Sequence, residues 1–318
     1  MTTAIETFDL TRRFRRNEAV HGLNLKVPAG SIFALLGPNG AGKTTTLKML
    51  MNLVRATRGR ADVLGVDSRR LGPRELQRIG YVSENQRLPE WMTPDQLFDY
   101  CRPFYPAWDN ALQAKLEADL GLTARTPLRT LSRGTRMKAA LLASLAYRPD
   151  LVVLDEPFTG LDPLVRDELV RGLLEVAAER TWTVLISSHD IDDVERLADW
   201  VGFIKDGQLL FAEPVAALLE RFRLVEVVSS VDTPAVLPAD PRWLPRGTAG
   251  RTLQFVDARH DEADAASRIA AAFPACDIRT SALPLREIFV TLARSSPPSP
   301  ERRSERPAGP RESKAGES

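Results

Sequence analysis

The stretch LVVLDEPFTG, residues 151–160, places two adjacent acids, Asp155 and Glu156, directly after four apolar residues. An unbroken run of leucine and valine predicts a strand that is buried on both faces. Two carboxylates at the end of such a strand are costly unless a cation meets them there. The acids are therefore either solvated loop residues or part of a site that supplies a cation, and the rest of the sequence has to decide.

The segment GPNGAGKTT, residues 37–45, matches the phosphate-loop pattern GxxxxGK[ST]. It lies between an apolar strand predicted for SIFALL, residues 31–36, and a helix. Glycines allow the backbone to turn tightly and to point its N–H groups, with the helix N-terminus, at nucleotide phosphates. Lys43 can reach the β- and γ-phosphates, and the Thr44 hydroxyl can ligate Mg²⁺. The predicted nucleotide-binding residues of the loop are Gly37, Pro38, Asn39, Gly40, Ala41, Gly42, Lys43, Thr44 and Thr45.

The phosphate loop gives the two acids a role. In P-loop folds a second parallel strand ends beside the loop and presents an acid to the magnesium ion. LVVLDE fits this description, with Asp155 as the predicted magnesium acid. Glu156 then falls beside the γ-phosphate, where a carboxylate can polarise an attacking water. The predicted cations are Mg²⁺ and Lys43.

Flanking residues choose among the P-loop classes. The stretch LSRGTRMKAALLASLAYRPDLVVLDEPFTGLDP, residues 131–163, resembles the diagnostic region of ATP-binding cassette (ABC) ATPases. In that family a signature LSGGQ begins a helix and is followed by a strand, DEP and an LD turn. The signature here is LSRGT, residues 131–135, and SSHD, residues 187–190, resembles the family's switch motif. The resemblance extends from about residue 4 to residue 222, in the family's order and spacing.

The resemblance implies an ATP site that two subunits share. Ser132 and Gly134 would contact the γ-phosphate of the ATP held by the other subunit, and Asp162 would lie at the dimer seam. His189 would contact the γ-phosphate and orient the water together with Glu156.

Other positions match the family less closely. Phe14, in TRRFRR, corresponds to the aromatic residue that stacks on adenine, the alternative being a core aromatic. Where the family usually has glutamine, between sheet and helical region, IGYVSEN offers Glu84, with Gln86 two residues on. A carboxylate can still approach magnesium, so Glu84 is the predicted metal residue, the alternative being a plain loop acid. Arg133 and Thr135 replace the usual glycine and glutamine of the signature, a variation that resembles bacterial ABC ATPases paired with separately encoded export-type permeases.

The expected fold is α/β: a P-loop NTPase cassette with a mixed sheet core, an antiparallel β subdomain and a helical subdomain. The cassette is predicted for residues 4–222 and the helical subdomain for about 88–147, with residues 90–147 expected to be helical throughout. Thr93, Pro94 and Gln96 form a helix-start signal with a capping box. The apolar strands LVVLDE and TVLISSH are separated by the helix VRDELVRGLLEVAAE, which indicates a parallel sheet.

The character of the sequence changes after residue 222. Residues 223–294 predict a small C-terminal α+β appendage, with half-buried strands at LVEVVSS, TLQFVDA and CDIRTS and apolar residues on one face of its last helix. Residues 295–318, rich in Pro, Ser and mixed charge, predict a disordered tail. The apolar helix face consists of Leu285, Ile288, Phe289 and Leu292.

Bulk properties restrict the partners. Lys and Arg number 43 against 42 Asp and Glu, a net charge of +1, which gives no support to nonspecific nucleic-acid binding. No apolar stretch approaches the roughly 20 residues of a membrane span, and the N-terminus lacks a signal-peptide core. Cys101 and Cys276 lie far apart and in no metal-ligand spacing, as expected for a reduced cytosolic chain.

The sequence therefore predicts an ATP-hydrolysing subunit that binds ATP with Mg²⁺. It would dimerise with a second copy or a homologous ATPase subunit. The dimer would drive an integral membrane permease that acts in export, and it would lie at the inner face of the cell membrane. The alternative is a soluble ABC-type ATPase, but the long coiled coils, zinc sites or second cassette usual in that class do not occur in the sequence. A P-loop GTPase would need an NKxD motif, which the sequence lacks. A non-enzymatic module is disfavoured because Lys43, Asp155, Glu156 and His189 occur together.

Overall fold

The computed structural model describes residues 2–15, 17–123, 125–179 and 182–295. The first half contains β1 (Thr3–Phe14), β2 (Asn17–Leu23), β3 (Lys26–Pro28), β4 (Ile32–Leu36), α1 (Lys43–Leu50), β5 (Arg58–Val63), β6 (Val66–Asp67), α2 (Pro73–Leu76), β7 (Ile79–Ser83), α3 (Pro94–Cys101), α4 (Asn110–Asp119) and α5 (Arg133–Leu145). The second half contains β8 (Leu151–Asp155), α6 (Pro163–Glu179), β9 (Thr183–Ser188), α7 (Asp192–Glu195), β10 (Trp200–Lys205), β11 (Gln208–Pro214), α8 (Val215–Arg221), β12 (Arg223–Ser229), β13 (Trp243–Ala249), β14 (Thr252–Asp257), α9 (Ala265–Ala272), β15 (Cys276–Ala282) and α10 (Leu285–Ser295).

A six-stranded sheet of order β11-β10-β4-β9-β8-β7 forms the centre of the molecule. Its strands are parallel except for β11, which pairs antiparallel with β10. Residues 151–154 of β8 are fully buried, so the predicted strand with two covered faces and the predicted parallel sheet are both confirmed. Leu47 and Leu50 of α1 belong to the core on one face of the sheet, and the cluster around α5 and α6 covers the other.

The antiparallel β subdomain predicted near the N-terminus is present. Its sheet has the order β2-β1-β5-β6, with β3 paired to β1. Register shifts along β1, between Leu10 and Arg12 and between Arg12 and Arg13, increase the local twist of that long strand. The subdomain shares one apolar core with α1 and with residues of β4 and β9.

The helical region is made of separate helices. Thr93 begins α3 with the predicted capping box, since its hydroxyl accepts from Gln96 N at 3.3 Å and the Gln96 side chain accepts from Thr93 N at 3.0 Å. The expectation that residues 90–147 are helical throughout is too broad, because loops separate α3, α4 and α5. One break follows Gly121, whose φ of 59° lies in the left-handed region that favours glycine.

The C-terminal appendage is a four-stranded antiparallel sheet of order β13-β14-β12-β15. One face packs on α9 around Val225, Val227 and Phe255. The strands β12, β14 and β15 match the predicted ones, whereas β13 has no counterpart in the prediction. Pro245 and Gly247 obscure β13 in the sequence, although an edge strand tolerates both residue types.

Helix α10 fixes the appendage to the rest of the molecule. Its predicted apolar face is buried in the same cluster as residues of β10, α8 and the central sheet. The Phe289 ring lies 5.1 Å from that of Phe203 and 5.8 Å from that of Phe211, centroid to centroid. Arg221 Nη1 also donates to Ala258 O at 2.6 Å. The tail predicted from residue 295 falls, at 296–318, outside the described residues.

Among the described residues, the helices are all too short or too polar to cross a membrane.

Phe289→Ala is expected to lower the free energy of unfolding by about 3–5 kcal/mol, because it empties a ring-lined space in the core. Urea denaturation of the full chain measures this loss. Val290→Ala on the same helix is the control, since Val290 is 38 % exposed, and it should change the free energy by less than about 0.5 kcal/mol. A loss below about 1 kcal/mol for Phe289→Ala would show that the appendage does not depend on this contact.

Candidate active site

The phosphate loop follows β4 and ends where α1 begins, at the carboxyl edge of the central sheet. Two glycines of the loop lie too close to other backbone atoms for a side chain. A Cβ at Gly37 would lie 2.1 Å from Ile204 O, and one at Gly42, whose φ is 106°, would lie 2.4 Å from Ala19 O. The Lys43 ammonium is buried and donates to Gly37 O at 2.6 Å. The loop therefore curls around the lysine that it presents.

Asp155, at the end of β8, faces the loop. Thr44 Oγ1 donates to Asp155 Oδ1 at 2.9 Å, and Ser187 Oγ donates to the same oxygen at 2.8 Å. Burial raises the pKa of Asp155, while hydrogen bonds from Ser187 and Thr44 act in the opposite direction. An acid whose charge is disfavoured by burial is suited to receive a cation.

Glu156 is held by three side chains. Its Oε1 lies 3.1 Å from Lys43 Nζ, and its Oε2 lies 2.8 Å from His189 Nδ1 and accepts from Thr159 Oγ1 at 3.0 Å. The residue has a φ of 51°, a left-handed conformation that costs a residue with a Cβ about 1–2 kcal/mol. Lys43 is thus a cation of the kind that the two adjacent acids were expected to need. The alternative interpretation of Asp155 and Glu156 as solvated loop acids is wrong, because both side chains are buried.

A cleft of about 540 Å³ brings the predicted residues together. Phe14 is 42 % exposed at its rim, so it is not a core aromatic; the Arg12 guanidinium lies 4.3 Å from the ring centroid. Glu84 lines the cleft, whereas the Gln86 side chain bonds back to Ser83 N at 3.3 Å and faces a neighbouring groove. The lining consists of Phe14, Asn17, Ala19, residues 39–45, Glu84, Glu156, Thr159 and His189.

Three of the residues implied by the resemblance lie outside this cleft. Ser132 caps α5 by accepting from Thr135 N at 3.1 Å. Asp162 caps α6, with Oδ1 accepting from the N–H groups of Leu164 and Val165 at 3.1 Å each. A Cβ at Gly134 would lie 2.7 Å from Val165 Cγ1, so close packing of α5 on α6 requires glycine there. All three residues are at helix N-termini, which carry partial positive charge.

Two residues that contact the acids, Ser187 and Thr159, were not predicted. Ser187 follows the apolar residues VLI in the buried strand TVLISS, and a polar side chain there indicates a buried partner. Thr159 stands three residues after Glu156, a spacing that a turn closes. Neither feature identifies the partner without the fold.

Magnesium fits the donors at this edge of the sheet. Thr44 and Asp155 offer oxygen atoms side by side, and Glu84 adds a carboxylate in the same cleft. Mg²⁺ is usually bound by one or two carboxylates together with substrate phosphates. In the part of the chain that the structure describes, His, Cys, Asp and Glu side chains form no group of three or more able to hold a metal alone.

Comparison with known proteins identifies the family. Residues 20–159 match the family model described as ABC transporter. The bacitracin transport ATP-binding protein BcrA of Bacillus licheniformis is 35 % identical over 226 residues, which are 70 % of this chain and 74 % of that protein. The chain belongs to the ABC transporter ATP-binding proteins. It is an ATP-binding and ATP-hydrolysing subunit of this family, and the predicted family and P-loop cassette fold are confirmed.

Further relatives and structures agree. The daunorubicin/doxorubicin resistance ATP-binding protein DrrA of Streptomyces peucetius is 34 % identical over 255 residues, 75 % of this ABC ATPase and 76 % of that protein. A solved ATP-binding subunit of an ABC transporter has a TM-score of 0.62 at 24 % identity, covering 69 % of this chain and 92 % of that one. The dimeric cassette MJ0796 bound to ADP and Pi has a TM-score of 0.59 at 21 % identity, covering 66 % and 98 %. At these identities the structures show the fold.

Asp155→Asn is expected to raise the melting temperature of this ABC ATPase at pH 7 in EDTA without nucleotide. The pKa of Asp155 is raised in the folded state, so the ionised carboxylate costs stability at pH values above that pKa, and the cost vanishes as the pH falls through it. The gain from asparagine should therefore shrink as the pH is lowered. Asp232→Asn, in an exposed loop, is the control; an equal gain there, or a lower melting temperature for Asp155→Asn, would contradict the prediction.

Proposed function

We propose that this subunit closes as a dimer over two ATP molecules and drives a separately encoded membrane permease, in export, from the cytoplasmic face. The observation that supports it most is the convergence of Lys43, Thr44, Glu156 and His189 in one cleft, with Asp155 hydrogen-bonded to Thr44. The names of three relatives refer to bacitracin transport, daunorubicin/doxorubicin resistance and lantibiotic transport. Each name concerns the movement of, or resistance to, an antibiotic compound, which favours export.

ATP binding is assigned to the phosphate loop and Phe14. Loop N–H groups and the N-terminus of α1 would hold the phosphates, and Lys43 would neutralise charge on the β- and γ-phosphates. The exposed ring of Phe14, which lines the same cleft, would stack on adenine. Thr44, Asp155 and Glu84 would hold Mg²⁺, which when bound neutralises charge on the phosphate oxygens.

Hydrolysis is assigned to Glu156 and His189. Glu156 would accept the proton of the attacking water as general base. His189, 2.8 Å from the Glu156 carboxylate, would fix the orientation of that carboxylate and of the water. An ionised Glu156 accepts a hydrogen bond, so Nδ1 of His189 is the donor, and Nε2 can donate to a γ-phosphate oxygen only when the ring is doubly protonated.

The second half of each site would come from a partner subunit. Ser132 and Gly134 begin a 13-residue helix, whose N-terminal N–H groups suit a phosphate, yet they do not line the cleft of their own chain. Asp162 is likewise an exposed helix cap. A two-fold dimer would bring these residues to the partner's cleft, and the partner's to this one.

The permease would bind at a groove of about 830 Å³ beside the ATP cleft. Glu84 lines both spaces, and Arg133 Nη2 of α5 lies 3.5 Å from Glu84 Oε1. A partner in the groove would therefore contact the segment that reaches the proposed magnesium site. We assign the ATPase unit to residues 4–222, with a helical subdomain at about 88–147, and an accessory role to residues 223–294.

Glu156→Gln is expected to lower ATP turnover by roughly 10²-fold or more, because glutamine keeps the shape but removes the base. ATP should still bind, and an ATP-stabilised dimer should elute earlier in size-exclusion chromatography. Glu168→Gln, on the surface of α6 and ion-paired to Lys138, is a control for loss of a carboxylate and should keep its turnover. Normal hydrolysis by Glu156→Gln would remove Glu156 from the mechanism.

Mixing Lys43→Ala and Ser132→Arg subunits tests whether the site is shared. Each homodimer should be nearly inactive, since every site contains one defect. A mixed dimer gathers both defects in one site, and random pairing then restores at most roughly a quarter of the sites. ATPase activity of the mixture above the sum of the two mutants would support sharing. A Ser132→Arg homodimer that hydrolyses ATP at the unmutated rate would show that Ser132 is only a helix cap.

A further inference from the structure

Ser187, in β9, joins the two acids of the site through one hydroxyl group. Its Oγ donates to Asp155 Oδ1 at 2.8 Å and accepts the backbone N–H of Glu156 at 3.0 Å. The same N–H lies 3.2 Å from the Ser187 carbonyl oxygen. Ser187 is 0 % exposed. One buried residue thus contacts both the carboxylate of Asp155 and the backbone of Glu156.

The central sheet determines where this hydroxyl lies. Asp155 and Ser187 are direct partners in the parallel pairing of β8 with β9. β9 stands between β8 and β4, the strand that precedes the phosphate loop. The position of the Ser187 hydroxyl is therefore set by strand register, in a part of the sheet that is fully covered.

Glu156 needs such a contact because its backbone is strained. Its φ of 51° persists only where the surroundings determine it. Lys43, His189 and Thr159 hold the end of its side chain, and Ser187 holds its backbone N–H at the other end. Without the hydroxyl, the Glu156 N–H keeps only its 3.2 Å contact with the Ser187 carbonyl oxygen, and the link from that N–H through the hydroxyl to Asp155 is lost.

We propose that Ser187 is a positioning residue for ATP hydrolysis, fixing the base Glu156 relative to the magnesium acid Asp155. The proposal rests on the roles given above to those two acids. Lys43 and the glycines of the loop are held by β4, α1 and their own loop carbonyls, so nucleotide affinity should not depend on Ser187. Loss of the hydroxyl should lower kcat and leave ATP binding in place.

The test compares Ser187→Ala with a matched control on the same strand, Thr183→Val. The Thr183 hydroxyl is also buried and accepts a backbone N–H, that of Gly30, at 2.9 Å, but it lies at the end of β9 away from the site. Ser187→Ala in the full chain should lower kcat by roughly 10- to 100-fold, the effect of misplacing a reacting group. ATP affinity, measured directly with a fluorescent ATP analogue in EDTA, should stay within about twofold. Ser187→Cys, which keeps a weak donor and acceptor, should have intermediate turnover.

The outcomes separate this inference from the proposed function. Low kcat for Ser187→Ala with normal kcat for Thr183→Val, at similar losses of melting temperature, supports positioning. A kcat for Ser187→Ala within about twofold of the unmutated value overturns it, as does an equal loss for Thr183→Val. Glu156→Gln, assayed alongside, distinguishes the two levels: an inactive Glu156→Gln with an active Ser187→Ala rejects only the positioning role, whereas an active Glu156→Gln rejects the base itself.

Discussion

The site depends on the burial of two adjacent acids, Asp155 and Glu156, at the end of a strand that is itself covered on both faces. Such a pair is tolerable only where cations and hydrogen-bond donors are fixed around it. Lys43 comes from the start of α1, Ser187 from β9 and His189 from the loop after β9. These elements meet because the order β4-β9-β8 brings three strand ends to one edge of the sheet. A change in strand order would leave the acids without their partners.

The signature residues satisfy structural requirements before any role in catalysis. Ser132 and Asp162 cap helices, and Gly134 allows α5 to approach Val165 of α6. Caps and close helix packing would favour these residue types in a protein that never met a partner's nucleotide. The position of these helix ends, outside the cleft of their own chain, therefore supports a shared site more than the residue types do.

The appendage is part of one apolar core with the ATPase unit. Phe289 packs against two rings of the β10–β11 pair, and Arg286 of the same helix lies 3.2 Å from Asp192 of α7, three residues after His189. An exposed ion pair of this kind contributes little stability, so the aromatic packing holds the two parts together. The appendage therefore stays close to the segment that follows His189.

The phosphate loop, the buried strand before the two acids and the family can be predicted from the sequence alone, because each depends on residues that are near one another in the chain. The fold is needed to show that Ser187 and Thr159 contact the acids, that Glu84 rather than Gln86 reaches the cleft, and that Phe14 is exposed at its rim. Most contacts of the site join residues that are far apart in the chain: Thr44 and Asp155 are 111 positions apart, and Asp155 and Ser187 are 32. Strand register and helix packing set them, and a local pattern contains neither. The strand β13 was missed for a related reason, since its Pro245 and Gly247 are tolerated only because it lies at the edge of its sheet.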